Sequence, residues 1–282
     1  WYRPDLQGII VVGNVDVDEV ETKIKRLFSS IELNPNRPKR EYFPVPDNDD
    51  PIVATATDPE ATRINLMVFY KHDPVPDEIK LSQVGLIINY IDAVAAQMIN
   101  ERLQEIIQKP DAPFTSAYAY NGNYYVAKTK DAWTVVGNSA EDKIKDALAA
   151  MIRETERMKR FGFTISEYER ARENLLKSYE NAYNNRDKQR NSSYTAEYLG
   201  NFLNSEPIPG IEYEYEMMRA IASQIPVEII NQTVAQLIGD KNLVISVSGP
   251  EKEEITYPTK DELVALSNEV KAEKIEPYQE EV

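Results

Sequence analysis

The sequence predicts an α+β fold in which an antiparallel sheet carries its helices on one face. Three observations lead there. A long apolar helical pattern at residues 81–108 is followed by two alternating runs at 114–130 and 132–138. A series of helical patterns then separates these from a last apolar β-run at 243–249, so strands and helices are segregated along the chain. Strict strand–helix alternation, which builds a parallel sheet covered on both faces, is absent from the pattern. The third observation is an internal echo. The apolar runs at 6–13 and 243–249 both close on Gly and lead into acidic sequence, as two related domains would.

Residues 6–13 form a short continuous apolar run, a buried strand by length and β-branching. Asp16 stands where a helix N-cap belongs, and Val20, Ile24, Leu27 and Phe28 follow at helical spacing. Residues 31–60 are rich in Pro, Asn, Asp and Arg without periodicity. Pro35, Pro38, Pro44, Pro46 and Pro51 stiffen them toward polyproline geometry, the signature of a linker. Residues 63–70 alternate as a strand, and the loop 71–78, broken by Pro74 and Pro76, leads to the helix of 81–108. Its apolar residues, Val84, Ile88, Ile91, Ala95, Met98 and Leu103 among them, form a stripe wide enough to pack on a sheet. Pro110 and Pro113 end it. The next strand carries Tyr118, Tyr120, Tyr124 and Tyr125 around an Asn121-Gly122-Asn123 turn or bulge. Ser139 with Asp142 reads as a capping box opening a helix, and Ser166 as the cap of the one after it. Helical patterns at 194–204, 213–222 and 227–238 precede the last strand, and 251–282 is charged sequence with one short helical pattern.

With 282 residues and 42% hydrophobic content, one or two domains with a sizeable core are expected. No apolar run approaches the roughly 18 residues that a membrane-spanning helix requires. The 47 acidic residues against 32 basic give a net charge of −15, which repels phosphate backbones and excludes nucleic acid as an expected partner. With no Cys and one His, thiolate metal sites, Cys nucleophiles and disulfides are excluded, and His72 is the only imidazole. A Cys-free chain is compatible with an oxidising compartment, so a periplasmic or exported location is an expectation.

Four stretches, read together, resemble a known family. Tyr2-Arg3-Pro4-Asp5, the run ending in Gly13, and Val15-Asp16 resemble the Y-x-P-x-N and VVVGD-V-D phrases of the insulinase and pitrilysin type zinc peptidases, which include the mitochondrial processing peptidases. Glu101-Arg102-Leu103 with Gln108-Lys109-Pro110-Asp111-Ala112-Pro113-Phe114 resembles the helix end and loop of bacterial members. The segment 163–172, Phe-Thr-Ile-Ser-Glu-Tyr-Glu-Arg-Ala-Arg, resembles their T-x-x-E-x-x-x-A-K helix start, and 242–249 their last strand. The order and spacing of the four make the match specific, over residues 1–254.

In that family the metal site is an inverted H-x-x-E-H on a helix of the first domain, with a later Glu as third zinc ligand. One His cannot make that motif. The resemblance therefore implies no cofactor in these residues and zinc in the parent protein. It divides the chain into residues 1–35, the terminal strand and helix of a preceding, truncated homologous domain; 36–60, a Pro-rich linker; 61–254, a complete non-catalytic domain; and 255–282, a charged tail or inter-half linker. The implied function is the non-catalytic, chamber-forming and peptide-binding portion of a zinc-dependent endopeptidase. Its substrate would be peptide or unfolded polypeptide, and its partners the missing catalytic domain and a second homologous half or subunit. The alternative is a catalytically inactive scaffold or peptide-binding subunit of the same fold, decided by whether the parent carries the motif upstream of Trp1.

No catalytic or metal-ligating residue is expected here. Family members use an Arg near the end of this helix and a Tyr on the next strand to hold substrate and stabilise the developing oxyanion. Arg102, Tyr118 and Tyr120 are the corresponding substrate-binding candidates. The lengthened loop at 104–113 resembles the half of the protein that does not supply this pair, so a helix-end salt bridge stays open for Arg102. Alternation places Tyr118 and Tyr120 on one face, lining a peptide groove or covering the sheet. His72, after a strand and beside Pro74, reads as a solvated loop imidazole.

Overall fold

Asp16 opens the first helix as expected, its side chain accepting from the Glu19 amide at 2.9 Å to cap α1 (Val17–Phe28). The structure, a computed structural model, describes residues 2–280; Trp1 and the last two residues of the expected tail lie outside the described residues. After α1 come β1 (Ile52–Asp58), β2 (Ile64–His72), the short α2 (Asp77–Lys80), α3 (Gln83–Ile107), β3 (Ser116–Asn123) and β4 (Asp131–Ser139). Helices α4 (Ile144–Phe161), α5 (Ile165–Asn184), α6 (Asn191–Asn204), α7 (Ile211–Gln224) and α8 (Val227–Leu237) lead to β5 (Leu243–Pro250) and α9 (Lys260–Ala272).

The strands form one sheet in the order β1-β5-β2-β4-β3. β2 runs antiparallel to both β4 and β5, β3 antiparallel to β4, and β1 parallel to β5. Ile64, Leu66, Val68 and Tyr70 of β2, Trp133 and Val135 of β4, and Leu243, Ile245 and Val247 of β5 point to one face. There they meet Tyr90, Val94 and Met98 of α3 and Leu148, Met151 and Ile152 of α4. The helices thus cover one face of a mostly antiparallel sheet, the predicted α+β class. Among the described residues, the opposite face holds a small cluster, Phe69, Ala132 and Val244 with Met67 and Tyr124.

Several expected boundaries move. Residues 52–58, placed in the linker, are strand β1: past Pro51 the sequence Ile-Val-Ala-Thr-Ala-Thr is β-branched, and only Val53 reaches the core. Small exposed residues hid the alternation. The run 6–13 joins no ladder: Leu6 closes a 3-10 turn, residues 7–12 belong to no helix or strand, and residues 8–12 make no main-chain hydrogen bond to another described residue. Ser139 does not open α4; it is the last residue of β4, opposite Ile64, and α4 begins five residues later. The cap of α5 is Thr164, two residues before the expected Ser166. Thr164 and Glu167 form a reciprocal capping box, and Ser166 meets the Thr164 hydroxyl at 3.0 Å without capping the helix.

The charged tail is also part of the fold. A second capping box, Thr259 with Glu262, starts α9, and Ile255, Leu263, Val270 and Ile275 are buried in or beside the core. Charged neighbours masked this short apolar stripe in the sequence. Arg153 then grips Glu273 through two hydrogen bonds at 2.6 and 2.8 Å, and Arg170 holds Glu280 at 2.6 Å. Packing therefore continues past residue 254, to 280.

Candidate peptide-contact site

Arg102 lies near the end of α3 and points toward the junction of α4 and α5. Its Nε and Nη2 donate to the two carboxylate oxygens of Glu167 at 2.6 and 2.9 Å. Nη2 also donates to the Gly162 carbonyl at 2.9 Å, and Nη1 to Glu154 at 3.4 Å. Gly162 adopts φ +67°, a left-handed conformation that ends α4. The rings of Phe163 and Tyr278 lie 4.8 and 4.3 Å from the guanidinium carbon. Arg102 is 2% exposed. Glu167 serves both this pair and the Thr164 amide at 2.7 Å, so one carboxylate ties α3 to the start of α5. Removing one member of such a buried set typically costs about 3–5 kcal/mol, because the partner charge is left uncompensated.

Tyr118 and Tyr120 are elsewhere. On β3 the neighbours Ala117 and Ala119 are buried toward the helices, so alternation turns both tyrosines to the sparsely covered face. They are 51% and 37% exposed, and their rings stack with centroids 6.1 Å apart. Strand register extends each into a row: Tyr118 with Val136, Met67, Ser246 and Ala54, and Tyr120 with Thr134, Phe69, Val244 and Ile52. Phe69 also meets the rings of Tyr124 and Tyr125, at 5.1 and 4.8 Å. This surface is largely apolar and aromatic, with the hydroxyl-bearing Thr134 and Ser246 inside its rows. The structure brings Tyr118 and Tyr120 together and leaves Arg102 among the helices.

β3 is the last strand of the sheet, and its outer edge is modified by a residue sequence reasoning missed. Asn100 of α3 donates from Nδ2 to the Ala119 carbonyl at 3.0 Å, and the Ala119 amide donates to Asn100 Oδ1 at 2.7 Å. The only available signal was a polar residue breaking the apolar stripe of α3. Asp92, one such break further back, accepts from Asn121 Nδ2 at 3.1 Å. Burial pushes the Asp92 carboxyl up to about 6, against the opposing pull of the Asn121 bond and the nearby His72.

His72 is not the solvated loop residue expected. It ends β2, half-buried, with Nε2 2.7 Å from Asn121 Oδ1 and Nδ1 2.9 Å from the Asp73 carbonyl. Among the described residues no group of three or more His, Cys, Asp or Glu side chains could hold a metal ion. A catalytic zinc site does not fit these residues.

The family description "Peptidase M16 inactive domain" matches residues 1–175. Along the whole chain, the sequence is 25% identical to an Arabidopsis thaliana protein described as a PQQL-like zinc protease, of which it covers 26%. It is 22% identical over 84% of its length to the probable zinc protease PqqL of Escherichia coli, covering 25% of that protein. The chain thus spans about a quarter of the curated relatives it matches. In structure it resembles the first half of the periplasmic protease PqqL from Escherichia coli, with TM-score 0.76 and 19% identity over 95% of this chain and 56% of that one. A Yersinia pestis insulinase family protease gives TM-score 0.75 and 13% identity, over 92% of this chain and 54% of that one. By the family match over more than half its length, the chain belongs to the Peptidase M16 inactive domain family.

Proposed function

We propose that this chain is a peptide-binding, chamber-forming portion of a zinc-dependent endopeptidase whose zinc site lies in other residues of the parent protein. The observation that carries the reading is the Tyr118/Tyr120 face, an exposed stacked pair on an edge strand that continues into an aromatic sheet surface. An extended peptide can lie along such an edge, with main-chain hydrogen bonds giving affinity and the tyrosines selecting alternate side chains. Membership of the inactive-domain family supports a wall role, and the names of the relatives support zinc in the parent.

Residues 1–35 are proposed to complete a neighbouring sheet, a catalytic domain in this reading. The unpaired main chain of 8–12 and an α1 whose residues are all exposed or half-buried support this. A second homologous half is proposed as the further partner. Export from the cytoplasm is supported by the Cys-free composition and by the periplasmic description of the Escherichia coli relative. Within the set Arg102, Tyr118 and Tyr120, the tyrosines are proposed to touch peptide and Arg102 to pin α3 to α5.

The test is Tyr118→Ser with Tyr120→Ser in the full-length parent. Loss of two aromatic contacts, each worth about 0.5–1.5 kcal/mol, should raise KM for peptide about tenfold, with kcat and zinc content unchanged. An unchanged KM would remove the tyrosines from the substrate path. A parent without zinc or turnover would favour the inactive scaffold instead.

A further inference from the structure

The outer edge of β3 is closed at one rung. Ala119 makes both of its main-chain hydrogen bonds to the Asn100 side chain rather than to β4. Strand periodicity therefore puts the main-chain groups of Ala117 and Asn121 on the same outer side, with Ala119 between them. A side-chain amide offers one N–H and one C=O, the same pair a neighbouring peptide group offers. Asn100 thus reproduces, at Ala119, the bonding an added strand would make.

We propose that Asn100 gates strand addition at β3, so that an extended peptide must displace its amide from Ala119 to bind. The inference rests on the peptide-binding reading above and adds its control point and ligand chemistry. One side of the added strand would face Tyr118 and Tyr120. The other would face the cleft along α3, about 1080 Å³, where the carboxylates Glu101, Glu105 and Glu280 outnumber the cations Lys109 and Arg170. Arg170 is shared by Glu101 at 3.8 Å and Glu280 at 2.6 Å, and Glu105 accepts from the Tyr278 hydroxyl at 2.8 Å. The edge therefore fits an extended peptide that alternates apolar with basic side chains, the basic ones facing Glu101 and Glu105. The gate also explains how an exposed edge strand is kept from pairing indiscriminately, since unpaired edges template association.

The experiment compares the 282-residue chain with Asn100→Ala, using a fluorescein-labelled peptide alternating valine and lysine and a control with glutamate in place of lysine. Releasing the peptide from competition with two intramolecular hydrogen bonds should make Asn100→Ala bind about tenfold tighter. The glutamate control should bind neither chain. In the free variant the Ala119 amide should exchange faster, and the lysine peptide should restore protection at 117–121. Asn100→Ser, too short to span the gap yet still polar, serves as second variant and should behave the same way should alanine unsettle α3. Equal or weaker binding by folded variants overturns the gate, since an Asn100 that merely anchors α3 lowers the melting temperature without touching affinity. Equal affinity with protection at 117–121 keeps the peptide site and removes the gate alone. Absence of binding by all three chains overturns the peptide-binding reading and the gate with it.

Discussion

A guanidinium bonded to Glu154, Glu167 and Gly162 and faced by two rings is engaged within the fold. Arg102→Ala should therefore lower stability by about 3–5 kcal/mol, leaving Glu167 buried without its ion partner while Glu154 keeps only Arg157. Chemical denaturation gives that figure, and turnover of the parent per folded molecule should hold steady. A tenfold loss of turnover at an unchanged melting temperature would instead assign Arg102 to substrate.

Asp92 is a second residue whose effect has a definite sign. Its folded-state carboxyl is raised to about 6 by burial, from an ordinary value near 4, so between those values the folded protein binds more protons than the unfolded chain. Stability contributed by this group must then fall as pH rises through that window, by at most roughly 3 kcal/mol. Asp131, raised by burial in the same direction, and the charges of His72 and Lys80 face the same region. Asp92→Asn should flatten this part of the profile, gaining melting temperature at pH 8 and little at pH 4. A variant profile parallel to the natural one would show that the Asp92 proton does not couple to folding.

At the scale of elements, legibility followed burial pattern. The 25-residue α3 was readable because its apolar residues recur at helical spacing over seven turns' worth of stripe, beyond what any strand shows. β2 and β4 were readable as alternating runs and β5 as a continuous apolar run closed by Gly249. β1 was not, because an edge strand whose side chains are mostly exposed needs no apolar alternation and is held by ladder bonds to β5. Two caps were misplaced, each for its own reason. At Ser139 the ladder to Ile64 prevailed over a helix start, and at Thr164 the reach of Glu167 decided between neighbouring candidates. The site was half legible for the same reason. Alternation in β3 put Tyr118 and Tyr120 on one face, whereas Arg102's partners lie 52 to 65 residues away in sequence, where no local pattern reaches them. Asn100 gave no local sign of a partner on β3.

The whole molecule divides by how its strands are paired. β5 is bonded on both sides, to β1 and β2, and contributes Leu243, Ile245 and Val247 to the core. Its amides can exchange only through opening that approaches global unfolding, about 5–15 kcal/mol for a typical domain. The run 8–12 is equally apolar, yet it has no ladder, and Ile9 and Val11 are each 51% exposed. A lone strand with no sheet to join is held by little, and its amides should exchange at nearly the rate of an unstructured peptide. In a dilute monomer, hydrogen exchange should accordingly show weak protection at 9–12 and strong protection at 244–247. Supplying the neighbouring sheet, by expressing the full-length parent, should raise protection at 9–12 toward that of 244–247, because the continuous apolar run Ile-Ile-Val-Val suits a strand paired on both sides and buried on both faces. Equal protection of the two runs in the isolated monomer would mean that residues 1–35 find their stability within this chain, and the neighbouring-domain reading would fall.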